Sequence, residues 1–260
     1  MAVNGEPVKG LYASRVSSII TSPTPDPTMG GAIADTTHPS IREQIFEILK
    51  TDGTPVGTIV ALGLSGGTTP GSPGLVKNGD WAIVGGTGAF LGVRGQMGRG
   101  TQTIAARAAS VTEDPGNRRI NGGGKLQWVL TLVPAFTPQI APTPQGPAVT
   151  HSADFSLVSA SKPAAPGEIL SLFMTGLGPT APGVDPGQMF PAMPLQTVNS
   201  PVGVIFNGTT AEVLGAVGLP GTIGGYQVNF RVPSGTFSGT ATIQVIAAWI
   251  PGTAVNIPVQ

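Results

Sequence analysis

Glu43 and Glu47 stand four residues apart in IREQIFEILK, residues 41–50, and Arg94 stands alone among the glycines of AIVGGTGAFLGVRGQ, residues 82–96. On a strand, positions two or four apart lie on one face. Two carboxylates placed that way could stabilise a developing cation, while a guanidinium clamps a carbonyl or an acid. Glu43, Glu47 and Arg94 are therefore the catalytic candidates. Arg94 also has a structural reading. A charge in a glycine-rich apolar strand is costly to bury unpaired, so it would cap turn carbonyls or pair with an acid.

Other motifs weaken on inspection. Gly86-Thr87-Gly88 begins a dinucleotide-type fingerprint, but Leu91 holds the place of the third glycine, and Gly92 and Gly95 oppose the helix that should follow. No Lys-Ser or Lys-Thr pair closes a phosphate loop. GLSGG, residues 63–67, matches a nucleophile elbow around Ser65, yet TTPGSPG follows it where a helix is required. The two histidines, His38 and His151, are isolated and form no metal-ligand cluster. Asp114, Asp154 and Asp185 fall in Pro/Gly-rich turns, where a turn role suffices and a loose calcium site is the alternative. Asn207-Gly208-Thr209 has the glycosylation-acceptor pattern, but we read Asn-Gly as a hairpin turn. No metal and no cofactor is expected.

Composition narrows the class. The 260 residues include 39 Gly, 26 Pro and no Cys, with 13 basic and 13 acidic side chains. Absent cysteine excludes disulfides, thiolate metal sites and cysteine nucleophiles. Balanced, sparse charge leaves no basic patch for nucleic acid. No apolar run approaches the length of a membrane span. The start, MAVNGEPVKGLY, has no apolar signal core, so the chain is either cytosolic or a mature form after signal removal. Hydrophobic residues make up 40% and mean hydropathy is +0.22, enough for a core. A weakly charged surface suits a packed assembly or an extracellular setting.

The elements that must position these residues are strands, because apolar residues recur with period two nearly throughout. Residues 41–50 have a helix-like spacing as well, but Asp52-Gly53 is a turn signal, so 42–50 and 55–64 read as a hairpin. Further strands fit 8–20, 80–85, 91–97, 102–113 and 125–133. Asn-Gly pairs before residues 80–85 and 125–133 add turn signals. Residues 134–150 hold five prolines and no charge, and read as an extended, semi-rigid linker. It separates residues 1–133 from 151–260, whose short, evenly spaced strands suggest a β-sandwich.

VGGTGAFLGVRGQ resembles the signature turn of the allene oxide cyclase/dirigent barrel superfamily. Gly85, Gly86, Thr87, Gly88, Phe90, Arg94 and Gly95 match, and Val93 replaces the usual alanine. GTPVGTIVALGL and GKLQWVLTLV resemble the family's neighbouring and closing strands. The resemblance covers most of residues 8–133 and implies an eight-stranded antiparallel barrel with an apolar lumen, dimeric or trimeric. It implies that Phe90 fills the core and Arg94 ties the turn down, and it makes Phe90 and Arg94 the ligand-binding candidates. Residues 165–182, APGEILSLFMTGLGPTAP, and 226–233, YQVNFRVP, resemble the Ig-like C-terminal module of secreted soil-bacterial proteins.

The fold expectation is thus all-β, an antiparallel β-barrel followed by an Ig-like β-sandwich. The leading functional expectation is a secreted, non-catalytic binding or display protein at the cell surface or outside the cell. Its barrel would hold an apolar small molecule or a carbohydrate. One alternative is a self-assembling filament or surface-layer protein, in which the partner is the chain itself. The other is a cyclase or coupling-guide enzyme that works in the lumen by positioning and water exclusion.

Overall fold

The computed structural model describes residues 2–18, 40–65, 81–99 and 128–260. The protein is all-β, and its antiparallel sheets are curled into half-barrels. The first sheet contains β1 (Lys9–Ser18), β2 (Ser40–Leu49), β3 (Pro55–Ser65), β4 (Trp81–Gly86), β5 (Arg94–Arg99) and β6 (Trp128–Val133). Each pairs with the next, so the six form an up-and-down meander. The strand expected over 102–113 lies outside the described residues. The one expected over 91–97 begins later, at Arg94. Gly88–Phe90 form a single 3₁₀ turn, and Gly92 at φ 72° continues the reversal.

Alternation sets the two faces. Gln44, Phe46 and Ile48 of β2 are buried, whereas Ile41 and Ile45, on the opposite face, are exposed. Asp52-Gly53 makes the turn into β3, with Asp52 Oδ1 accepting from the Thr54 amide at 2.8 Å. Curvature is visible in the aromatic rings. Tyr12 on β1 and Trp128 on β6 have centroids 6.0 Å apart. In a flat sheet, five strand spacings would separate them by about 24 Å.

Turn and strand meet backbone to backbone at the glycine-rich stretch. Thr87 and Thr58 exchange main-chain hydrogen bonds, 3.0 Å and 3.3 Å, and their hydroxyls bond at 2.7 Å. A Cβ on Gly57 would collide with the Thr87 carbonyl, and one on Gly86 would lie 2.5 Å from the carbonyl oxygens of both Phe90 and Thr58. Glycine is required here for closeness of approach.

The second sheet contains β7 (Val149–His151), β8 (Ile169–Thr175), β9 (Val202–Phe206), β10 (Thr209–Gly218), β11 (Gly225–Arg231), β12 (Gly239–Ala247) and β13 (Val255–Val259). Strand order is β7-β8-β11-β10-β9-β12, with β13 on β12. Thr209–Ala211 of β10 pair with β9 and Glu212–Gly218 with β11, the latter ladder interrupted by a bulge between Val213 and Gly215. Leu170, Leu172, Val204, Phe206, Val228, Phe230, Ile243 and Ile257 fill the core. Asn207-Gly208 forms the β9–β10 turn with both residues at positive φ, as the Asn-Gly reading requires.

Residues 134–150 are more tightly held than a linker. Gln139 and Ile140 pair with Thr175 and Met174, Pro142–Thr143 pairs with Gly146–Pro147, and Ala148 and Val149 are buried. The prolines leave the Ala141 and Ala148 amides free to donate, to Phe173 and Ala141 respectively.

The two sheets touch. Ala248, in the tight turn after β12, joins the buried cluster of the first sheet, and Trp249 and Ile250 pack against it. Gly178 abuts Ala89 so closely that a Cβ would lie 3.0 Å from the alanine methyl. Among the described residues no helix is long and apolar enough to cross a membrane.

The backbone contact at Gly86 yields the first prediction. Gly86→Ala should destabilise the protein by about 1–3 kcal/mol, the range for overpacking against atoms that cannot yield. Gly235→Ala, where a Cβ meets nothing within 4 Å, should be neutral or slightly stabilising. Urea denaturation midpoints of the two variants check this.

Candidate functional site

Strand register builds the inner face of the first sheet row by row. One row runs Val16, Arg42, Gly63, Trp81, Met97, Leu130 across all six strands. The next runs Ser14, Gln44, Ala61, Ile83, Gly95, Leu132. Phe46 and Tyr12 follow in the third, with rings 5.1 Å apart. Trp128 sits edge-on to Trp81 at 5.5 Å and to Phe46 at 6.5 Å. The concave face is therefore a basin of aromatic rings.

Three nitrogens in this basin are buried without a hydrogen-bond partner among the described residues: Arg42 Nε, Gln44 Nε2 and Trp81 Nε1. Gln44 is fully buried, and its Oε1 already accepts from Tyr12 Oη at 2.9 Å. All three unpartnered groups are donors. Leaving a buried donor unpaired costs about 1–3 kcal/mol, so such groups are rare and call for an explanation. Gly63 lies between Arg42 and Trp81 in their shared row and puts no side chain there.

The residues singled out from sequence lie elsewhere. Glu43 and Glu47 share a face as expected, but it is the outer one, opposite Gln44 and Phe46. The phase is set by the larger apolar gain of burying Phe46 and Ile48 with Ile59, Ile83 and Met97. Glu43 pairs with Arg15 at 3.0 Å in a solvent-exposed bridge. Glu47 lies opposite Thr58 and lines a cleft between the two sheets.

Arg94 is exposed, and its Nη1 donates to the carbonyls of Val84 and Val93, which is the turn-capping role. Phe90 is 3% exposed and packs within the core. Neither of these ligand-binding candidates opens into the basin. Arg42 and Gln44, which do face inward, flank Glu43 in sequence. Their signal was an arginine and a glutamine in phase with Phe46 and Ile48.

Ser65 ends β3, and His38 lies outside the described residues. His151 is buried in β7, with Nδ1 against Glu168 Oε1 and Nε2 3.2 Å from the Lys162 carbonyl. The Asp154 carboxylate accepts from Ser156 and from the Lys162 ammonium, and the Lys162 bond above all holds its carboxyl well below the usual range. Burial raises the Tyr226 phenol, which donates to the Gly178 carbonyl and so fixes the loop that meets Ala89.

Arg94→Ala removes two hydrogen bonds to carbonyls and should cost about 1 kcal/mol. A urea midpoint lower than the parent's is the expected result.

No family model matches this chain, and no curated protein and no solved structure matches it.

Proposed function

We propose that the chain is a non-catalytic binding protein whose curled first sheet holds an apolar, ring-bearing small molecule with an oxygen acceptor. The observation that carries this reading is the set of unpartnered donors, Arg42 Nε, Gln44 Nε2 and Trp81 Nε1, in an aromatic basin. Such a site offers stacking surface and selects a carbonyl, carboxylate or similar group. A ligand lacking the acceptor leaves the donors desolvated and unpaired. The likeness of residues 85–95 to the allene oxide cyclase/dirigent turn supports a ligand-holding barrel. Against the cyclase reading, both candidate carboxylates, Glu43 and Glu47, point away from the basin. The likeness of residues 165–182 to the Ig-like modules of secreted proteins supports an extracellular or surface-displayed role.

A second reading, self-assembly, is favoured by one feature. Among the described residues β1 is an edge strand, ten residues long with Leu11, Tyr12 and Val16 exposed. Long exposed edges template pairing with another chain.

Two measurements test these readings. Tryptophan fluorescence should respond to 2-naphthoate at least tenfold more strongly, by half-saturating concentration, than to naphthalene. Gln44→Leu should erase most of that preference, and equal responses to both compounds in the parent protein would remove the donor-site reading. Light scattering of the chain with and without residues 2–18 checks assembly: association that disappears on truncation supports strand addition, and unchanged association opposes it.

A further inference from the structure

The cleft that contains Glu47 lies between the two sheets, has a volume of about 240 Å³ and is lined by Pro55, Val56, Thr58, Pro179 and Asn199 as well. β2 and β3 supply one wall. The other is the loop after Gly178 together with the segment before β9.

Two polar groups in this cleft have no partner among the described residues. The Glu47 carboxylate forms neither a hydrogen bond nor an ion pair, unlike Glu43 on the same face, which holds Arg15. Asn199 is 9% exposed. Its main-chain amide is tied to the Pro179 carbonyl at 2.8 Å, while its side-chain amide has no hydrogen bond. Here the two sheets present an acceptor and an amide into one small space.

The chemistry of the pair limits what could satisfy it. A carboxylate accepts only, and a carboxamide both donates and accepts. An anion would be repelled by Glu47. A metal ion would find one carboxylate, since the described residues hold no group of three ligands of the His, Cys, Asp or Glu type. Hydroxyl groups fit, because each can donate to Glu47 while accepting from Asn199. Pro55 and Pro179 add an apolar wall for the C–H face of a ring. The volume equals that of about eight waters at ~30 Å³ each, which is the scale of a single sugar ring.

We propose that this cleft is a binding site for one residue of a neutral glycan, with Glu47 and Asn199 as its polar contacts. It is independent of the aromatic basin, which lies on the opposite face of the first sheet.

Saturation-transfer difference NMR of the full chain with cellotetraose and with maltotetraose tests the site. The expected result is transfer to ring protons of at least one of the two at millimolar concentration. The signal should fall at least fivefold in Glu47→Ala and in Asn199→Ala, and stay at parent level in Glu212→Gln, which alters an exposed pair with Arg231 in the second sheet. Circular dichroism reports whether each variant folds, and if Asn199→Ala does not, Glu47→Ala decides alone. No transfer to either sugar, or transfer undiminished in Glu47→Ala, overturns the proposal. The naphthoate response of Glu47→Ala should match the parent, so the cleft and the basin fail separately.

Discussion

The backbone of Gly86–Phe90 lies directly on that of Val56–Thr58, and much of the molecule is registered from this contact. No side chain fits between the two segments. Reciprocal hydrogen bonds between Thr58 and Thr87 lock them. Phe90 is thereby driven into the core of the first sheet, and Ala89 is left protruding toward Gly178 of the second unit. The same closeness brings Pro179 and Asn199 over β2 and β3. The glycines that resemble a nucleotide loop thus act by removing volume, and the arginine beside them holds the turn closed.

Basin and cleft solve opposite problems with the same sheet. The inner face spends its alternation on aromatic and aliphatic burial, and three nitrogens caught in that burial have no acceptor among the described residues. The outer face keeps its carboxylates near water, where Glu43 meets Arg15 at little energetic consequence. Glu47 faces the cleft that Pro179 and Asn199 of the second unit help to line. A single residue step along β2 therefore separates donor-rich, dry surroundings at Gln44 from acceptor-rich, wetter ones at Glu43.

Strand positions were legible because alternation and turn chemistry agree. Asp52-Gly53 and Asn207-Gly208 each sit where the chain reverses. The phase of β2 was harder to read, since Ile41 and Ile45 are apolar on one face and Phe46 and Ile48 on the other. Only packing against β3, β4 and β5 decides between them, and with it whether Glu43 or Gln44 faces inward. The pairing of residues 139–150 was hidden for a similar reason: its partner, β8, comes well after a run of prolines that reads as spacer. Asn199 could not be linked to Glu47 at all, because nothing local in the sequence marks a meeting of residues so far apart.

The turn that joins β12 to the segment after it carries Ala248 and Trp249 at φ 48° and 63°, a pair of left-handed residues without glycine. Each such residue is disfavoured by about 1–3 kcal/mol unless its surroundings hold it in place. Here the pairing of Ala247 with Ile250 and of Ile246 with Pro251 and the bond from the Ala248 amide to the Pro201 carbonyl hold the turn, and the core of the first sheet receives Ala248. Loss of the first sheet would bare Ala248 and the face of the Trp249 indole that packs on it. The melting of one half is in this way thermodynamically linked to the integrity of the other, and the hairpin serves as the coupling element between them.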